Sequence, residues 1–132
     1  MNASETIAFW NTKKMDAKKY ATFFNERFLN EIRFFSNTKS ELYNIVFKID
    51  EDLANKQDIA RAEECICEMN ACLRSAHELY LHGQEINIDF NDNTDLFIAE
   101  RFIRNFAKGN YDKLHAELSE KLEEKILCSH EL

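Results

Sequence analysis

Proline is absent from this 132-residue chain, and glycine occurs only twice, at Gly83 and Gly109. Sandwiches, barrels and doubly wound sheets need many tight turns, which draw heavily on those two residues. Disorder of the proline- and glycine-rich kind is excluded by the same shortage. No stretch approaches the length of uninterrupted apolar sequence that a membrane span requires. Residues 1–6 lack the basic flank and apolar core of a signal peptide. No Gly-x-Ser-x-Gly elbow is present, and two glycines cannot build a phosphate-cradling loop. Carboxylate pairs such as Glu63/Glu64 and Glu123/Glu124 are adjacent, so a helix points them apart. What remains is an all-α single domain over residues 1–132, long enough to bury a core without disulfides or metals.

The net charge of −7 conceals a gradient. Residues 1–48 carry eight basic and five acidic side chains, residues 49–100 three and thirteen, and residues 101–132 six of each. Overall acidity argues against duplex nucleic acid, whose affinity comes mainly from phosphate neutralisation. The acidic middle is a solvated face or a contact for a basic partner protein, and its candidate contact residues are Asp50, Glu51, Asp52, Glu63, Glu64 and Glu68.

Hydrophobic spacing divides the chain into helices. Ala17, Tyr20, Ala21, Phe24, Phe28, Ile32 and Phe35 form one stripe, preceded by Ile7, Phe9 and Trp10 as a short lead that packs back. Asn11-Thr12 offers the start of that helix. Thr38 and Glu41 have capping-box spacing and predict a new start. Leu42, Ile45, Val46, Ile49 and Leu53 follow. With Asp58 as cap, Ile59, Ala62, Ile66, Met69, Leu73, Ala76 and Tyr80 then step strictly by three and four, the seam of a helix packed lengthwise. Gly83 is expected to stop it. Residues 84–94 read as one short extended or irregular segment, because Ile86, Ile88 and Phe90 alternate with polar residues. Leu96, Ile98, Phe102, Ile103 and Phe106 mark a helix ending at Gly109, and Leu114, Leu118, Leu122 and Ile126 mark the last one. The predicted architecture is an antiparallel bundle of four to five helices.

Three constellations bear on chemistry. Asp89, Asn91, Asn93, Asp95 and Glu100 have the ligand spacing of a helix–loop–helix calcium site, although Thr94 stands where the turn favours glycine. The alternative is an Asx-rich loop that caps the following helix. Glu78 with His82 and Asp112 with His115 place a carboxylate and an imidazole on one helix face, which reads as surface ion pairing. Di-iron bundles need a second Glu-x-x-His copy that this chain lacks. Cys65, Cys67, Cys72 and Cys128 contain no C-x2-C pair. Cys65 and Cys72 lie two turns apart, about 10 Å along a helix, too far for one zinc. The thiols are read as reduced, in a cytoplasmic protein. Ten of the sixteen aromatic residues fall within residues 1–48, interleaved with basic ones, a pattern that serves a core first and a stacking surface second.

Residues 31–40, Glu-Ile-Arg-Phe-Phe-Ser-Asn-Thr-Lys-Ser, resemble the Glu-Ile-x-Phe-Phe-Lys-x-x-Lys-Pro stretch of RteC family proteins, regulators of excision and transfer in conjugative transposons. Ser36 stands for the lysine and Ser40 for the proline. A looser likeness extends through Leu73, Arg74 and Ser75 to Tyr80, over about 70 residues. The family's DNA-binding portion has no counterpart after Gly109. The resemblance thus implies a helical module of the family's N-terminal type and does not extend to DNA reading.

The functional expectation is a non-catalytic regulatory module that binds another protein, needs no cofactor and is linked to a mobile genetic element. The seam of the third stripe serves this chain's own helices or, in a homodimer, a second copy. The alternatives are a divalent-cation binder using residues 89–100 and a carboxylate metalloenzyme of the helical-bundle type.

Overall fold

Each apolar stripe becomes one side of a helix. The structure, a computed structural model, describes residues 3–12, 15–106 and 110–130. These residues form helices α1 (Ala3–Asn11), α2 (Ala17–Asp50), α3 (Lys56–Glu85), α4 (Thr94–Phe106) and α5 (Asn110–His130), with no strand among them. The all-α bundle expected from the sequence is the observed fold. Gly109, the expected stop of α4, lies outside the described residues, as do the side chains of Phe106, Asp112, Leu114 and Cys128.

α2 and α3 make an antiparallel pair, about 50 and 45 Å long at 1.5 Å per residue. Cross-helix contacts follow the antiparallel register: Tyr20 meets His82, Glu41 meets Arg61, and Lys48 meets Asp58. α4 and α5 run back in succession along this pair, parallel to α2. The Phe35 and Phe102 rings touch at 5.3 Å, Lys125 reaches Asp50 at 2.7 Å, and His115 approaches Cys67. The core lies where the stripes converge, on Tyr20, Phe24, Phe28, Leu73, Leu79, Leu96 and Ile103. In the third stripe, every residue from Ala62 to Tyr80 that the spacing assigns to the seam is buried. That seam packs within the chain, against α2, α4 and α5.

α2 does not break at residues 36–41. Phe35, Thr38 and Leu42 are all buried at helical spacing, so the stripe continues through the polar run. With no glycine or proline there to oppose it, tertiary burial outweighs weak helix propensity. The capping box expected of Thr38 and Glu41 does not form, because the Glu41 carboxylate is held by Arg61 on α3. The start of α2 is Asp16, whose side chain accepts from the Lys19 amide at 2.8 Å, whereas Asn11 closes α1. α3 is capped by Asn55, and Asp58 supplies the returning half of a capping box. Leu53 and Ile98, expected inside, are exposed.

Helix termination also differs. α3 runs two residues past Gly83, and the left-handed residue is Asn87, with φ of 62°. The Ile88 amide donates to the Gly83 carbonyl and the Asn87 amide to the Gln84 carbonyl, which is a Schellman arrangement. α2 ends the same way at Asp52, with φ of 58°, where Leu53 donates to Lys48 and Asp52 to Ile49. Asp and Asn thus take the role usually left to glycine. Residues 86–93 then form turns, and Ile86, Ile88 and Phe90 alternate inward as the sequence pattern requires, without a strand.

Gly83 serves packing. A Cβ there would sit 2.7 Å from the tips of both the Phe24 and Phe90 rings. Gly83→Ala is expected to destabilise the fold by about 1–3 kcal/mol despite its better helix propensity, as overpacking does. Denaturant unfolding measures this, and adding Phe90→Leu should recover part of the loss.

Candidate functional site

The acidic residues singled out in the sequence lie towards the end of the bundle where α2 turns into α3, but several are engaged within the molecule. Arg61 is gripped by two carboxylates, each through both oxygens: Glu41 at 2.6 and 2.9 Å and Glu68 at 3.0 and 3.1 Å. Glu64 adds a contact at 3.2 Å. The guanidinium holds the Glu41 carboxyl below the usual carboxylate range, and the three carboxylates keep Arg61 charged. Asp50 is taken by Lys125. Asp52 spends its backbone on the left-handed turn, while Glu51 and Glu63 are exposed.

Exposed aromatic side chains stand beside these charges. Tyr43 and Phe47, 57% and 63% exposed, lie one turn apart on the outward side of α2, and Asp50 and Glu51 continue the same face. The Lys39 ammonium caps the Tyr43 ring at 5.6 Å. Next to Tyr43, a recess of about 220 Å³ opens between α2 and α5, lined by Leu42, Val46, Leu118 and Leu122 with Lys121 and Lys125 at its edge.

The loop with calcium-like spacing uses its oxygens locally. Asp89 Oδ1 accepts from the Asn91 amide at 3.0 Å, and Asn93 Oδ1 accepts from the Leu96 amide at 2.8 Å, capping α4. Asp95 lines a different recess, between α2 and α4. Glu100 is buried one turn from Arg104 and accepts from it at 2.5 and 3.0 Å. Among the described residues, no three His, Cys, Asp or Glu side chains are grouped to hold a metal ion. Cys65 and Cys72 are buried and Cys67 exposed, all three as free thiols. Burial pushes the Cys72 thiol up to about 12 and raises Cys65 as well, so neither is poised as a nucleophile. Among the described residues, no helix is long and apolar enough to cross a membrane.

The most developed polar centre was not legible as one. His82 does not pair with Glu78 at the surface. It is buried, with 6% exposure, and its Nε2 meets the Tyr20 hydroxyl at 2.8 Å. The same hydroxyl donates to the Thr6 carbonyl at 3.0 Å. A phenol has one proton, so both bonds form together only if Nε2 carries a hydrogen and donates to the Tyr20 oxygen. Trp10 stacks on the Tyr20 ring at 4.9 Å and makes a T-shaped contact with the His82 ring. Three helices therefore meet at one hydroxyl. The sequence offered one hint, since Tyr20 lies in the apolar stripe of α2. Nothing local linked it to a histidine 62 residues away.

Burial holds the His82 imidazole below its usual range, and Glu85 opposes that shift. The unfolded chain therefore binds a proton that the folded chain resists. Stability from this centre is fully present above the unfolded imidazole's range and is lost as pH falls through the lower folded value. Melting temperature is expected to drop between pH 7 and about pH 5, and less steeply in His82→Gln. Burial also drives the Tyr20 phenol up to about 12, so it stays a donor across the physiological range. Tyr20→Phe leaves two buried polar groups without their partner and should cost about 1–3 kcal/mol in denaturant unfolding.

Compared with known protein families, with curated proteins and with solved structures, the chain finds no match.

Proposed function

We propose that this chain is a non-catalytic, cytoplasmic interaction module that regulates by binding another protein. The observation that carries the reading is the face formed by Tyr43, Phe47, Asp50 and Glu51 on the last turns of α2. Two large aromatic side chains held in water beside carboxylates combine apolar anchors with a charged rim, the composition expected of a binding surface. The partner it suits is basic, with an apolar stripe. Glu63 extends the acidic rim on α3, whereas Glu64 and Glu68 contribute chiefly through the Arg61 cluster. The likeness of residues 31–40 to RteC family proteins supports a setting in the control of a mobile genetic element. A cytoplasmic location keeps Cys65, Cys67 and Cys72 as thiols.

Because Tyr43 and Phe47 are exposed, Tyr43→Ser/Phe47→Ser should change stability by no more than about 0.5 kcal/mol. Glu51→Lys/Glu63→Lys should be similarly mild. Both doubles should lose the same proteins from those that immobilised wild-type chain retains in a native lysate, with the charge variant mimicked by high salt. Retention of an unchanged set by both variants overturns the reading.

A further inference from the structure

A cavity of about 600 Å³ opens between α1 and the C-terminal turn of α3, a volume suited to a small organic ligand. Ile7, Trp10 and Asn11 form one wall, and His82 and Glu85 the other. The Schellman turn closes it with Ile86 and Asn87. Among the described residues, its lining contains no lysine or arginine.

Three features give the cavity one electrostatic sense. His82 lines it while more than nine-tenths buried, and its Nε2 is committed to Tyr20. With the hydrogen on Nε2, Nδ1 bears the lone pair and is the ring's acceptor. Glu85, one turn further along α3, adds a carboxylate. Trp10 adds an indole whose ring is fixed by stacking on Tyr20, so it is ordered before a ligand arrives. A neutral imidazole acceptor, a carboxylate and an aromatic ring all favour a positive, hydrogen-donating guest. Ile7 and Ile86 accommodate an apolar tail. A metal ion fits less well, because among the described lining residues only His82 and Glu85 offer an imidazole or a carboxylate.

We propose that the cavity between α1 and α3 binds a small primary organic ammonium ion, with its charged head shared by His82 Nδ1, Glu85 and the Trp10 ring. This inference is independent of the partner surface on α2, which lies towards the opposite end of the α2–α3 pair.

Trp10 is the chain's single tryptophan, so its emission reports on this cavity alone. The full chain is titrated with n-butylammonium near neutral pH, with n-butanol and butyrate as controls, by Trp10 fluorescence and ligand-observed NMR. The expected result is a saturable response to n-butylammonium that neither control reproduces. Glu85→Gln, at an exposed position that leaves the fold intact, should weaken it about tenfold, as loss of a charge-assisted contact does. The proposal is overturned by any one of three results: no saturable signal in either measurement, an equal response to n-butanol, or unchanged binding in Glu85→Gln.

Discussion

Two helices of this length stay paired only if their facing stripes keep one register from end to end, and the tightest point of that register is Gly83. There the α3 backbone passes so close to the Phe24 and Phe90 ring tips that no side chain fits between them. Phe24 in turn stacks on Phe28, and Phe90 meets Phe28 edge-on and Tyr80 at a tilt. Sliding α3 by one residue would drive a side chain into this cluster, a cost that a close-packed interior cannot absorb by small adjustments. Phe24 and Phe28, from the aromatic-rich first third of the chain, thus help to set helix register. The Tyr20–His82 contact lies on the same stretch of both helices and depends on the same alignment.

Towards the other end of the pair, charge replaces aromatic packing. Arg61 draws Glu41 across from α2 and Glu68 from its own helix into a two-sided clamp. A single exposed ion pair contributes little, but a shared guanidinium orders several side chains at once, so each further contact loses less conformational freedom. The cluster also partly neutralises the acidic middle of the chain. The negative potential is consequently concentrated on the carboxylates left at the exposed turn, near Tyr43 and Phe47.

The third stripe was the most legible element, because steps of three and four without interruption leave one geometric solution, and those residues are buried from Ala62 onward. Helix ends were less legible. Thr38 and Glu41 have the local form of a cap, but burial of Phe35, Thr38 and Leu42 and the reach of Arg61 are non-local facts. Gly83 looked like a stop because glycine tolerates left-handed backbone, whereas its actual role depends on rings from α2 and the following turn. The acidic surface could be anticipated by counting charges, but the neutralising partners could not. The His82 centre was hidden for the same reason: helical spacing suggested Glu78, and the partner that prevailed comes from another helix.

The nine residues of α1 are too few to persist as a helix on their own in water. Their anchors are the Thr6 carbonyl on the Tyr20 hydroxyl and the Trp10 ring against Tyr20 and His82. One half of that dock stands near the end of α3. During synthesis, α1 therefore emerges ahead of the surface that holds it and must wait for more than sixty further residues before it can settle. A helix made before α2 and α3 thus settles only after both.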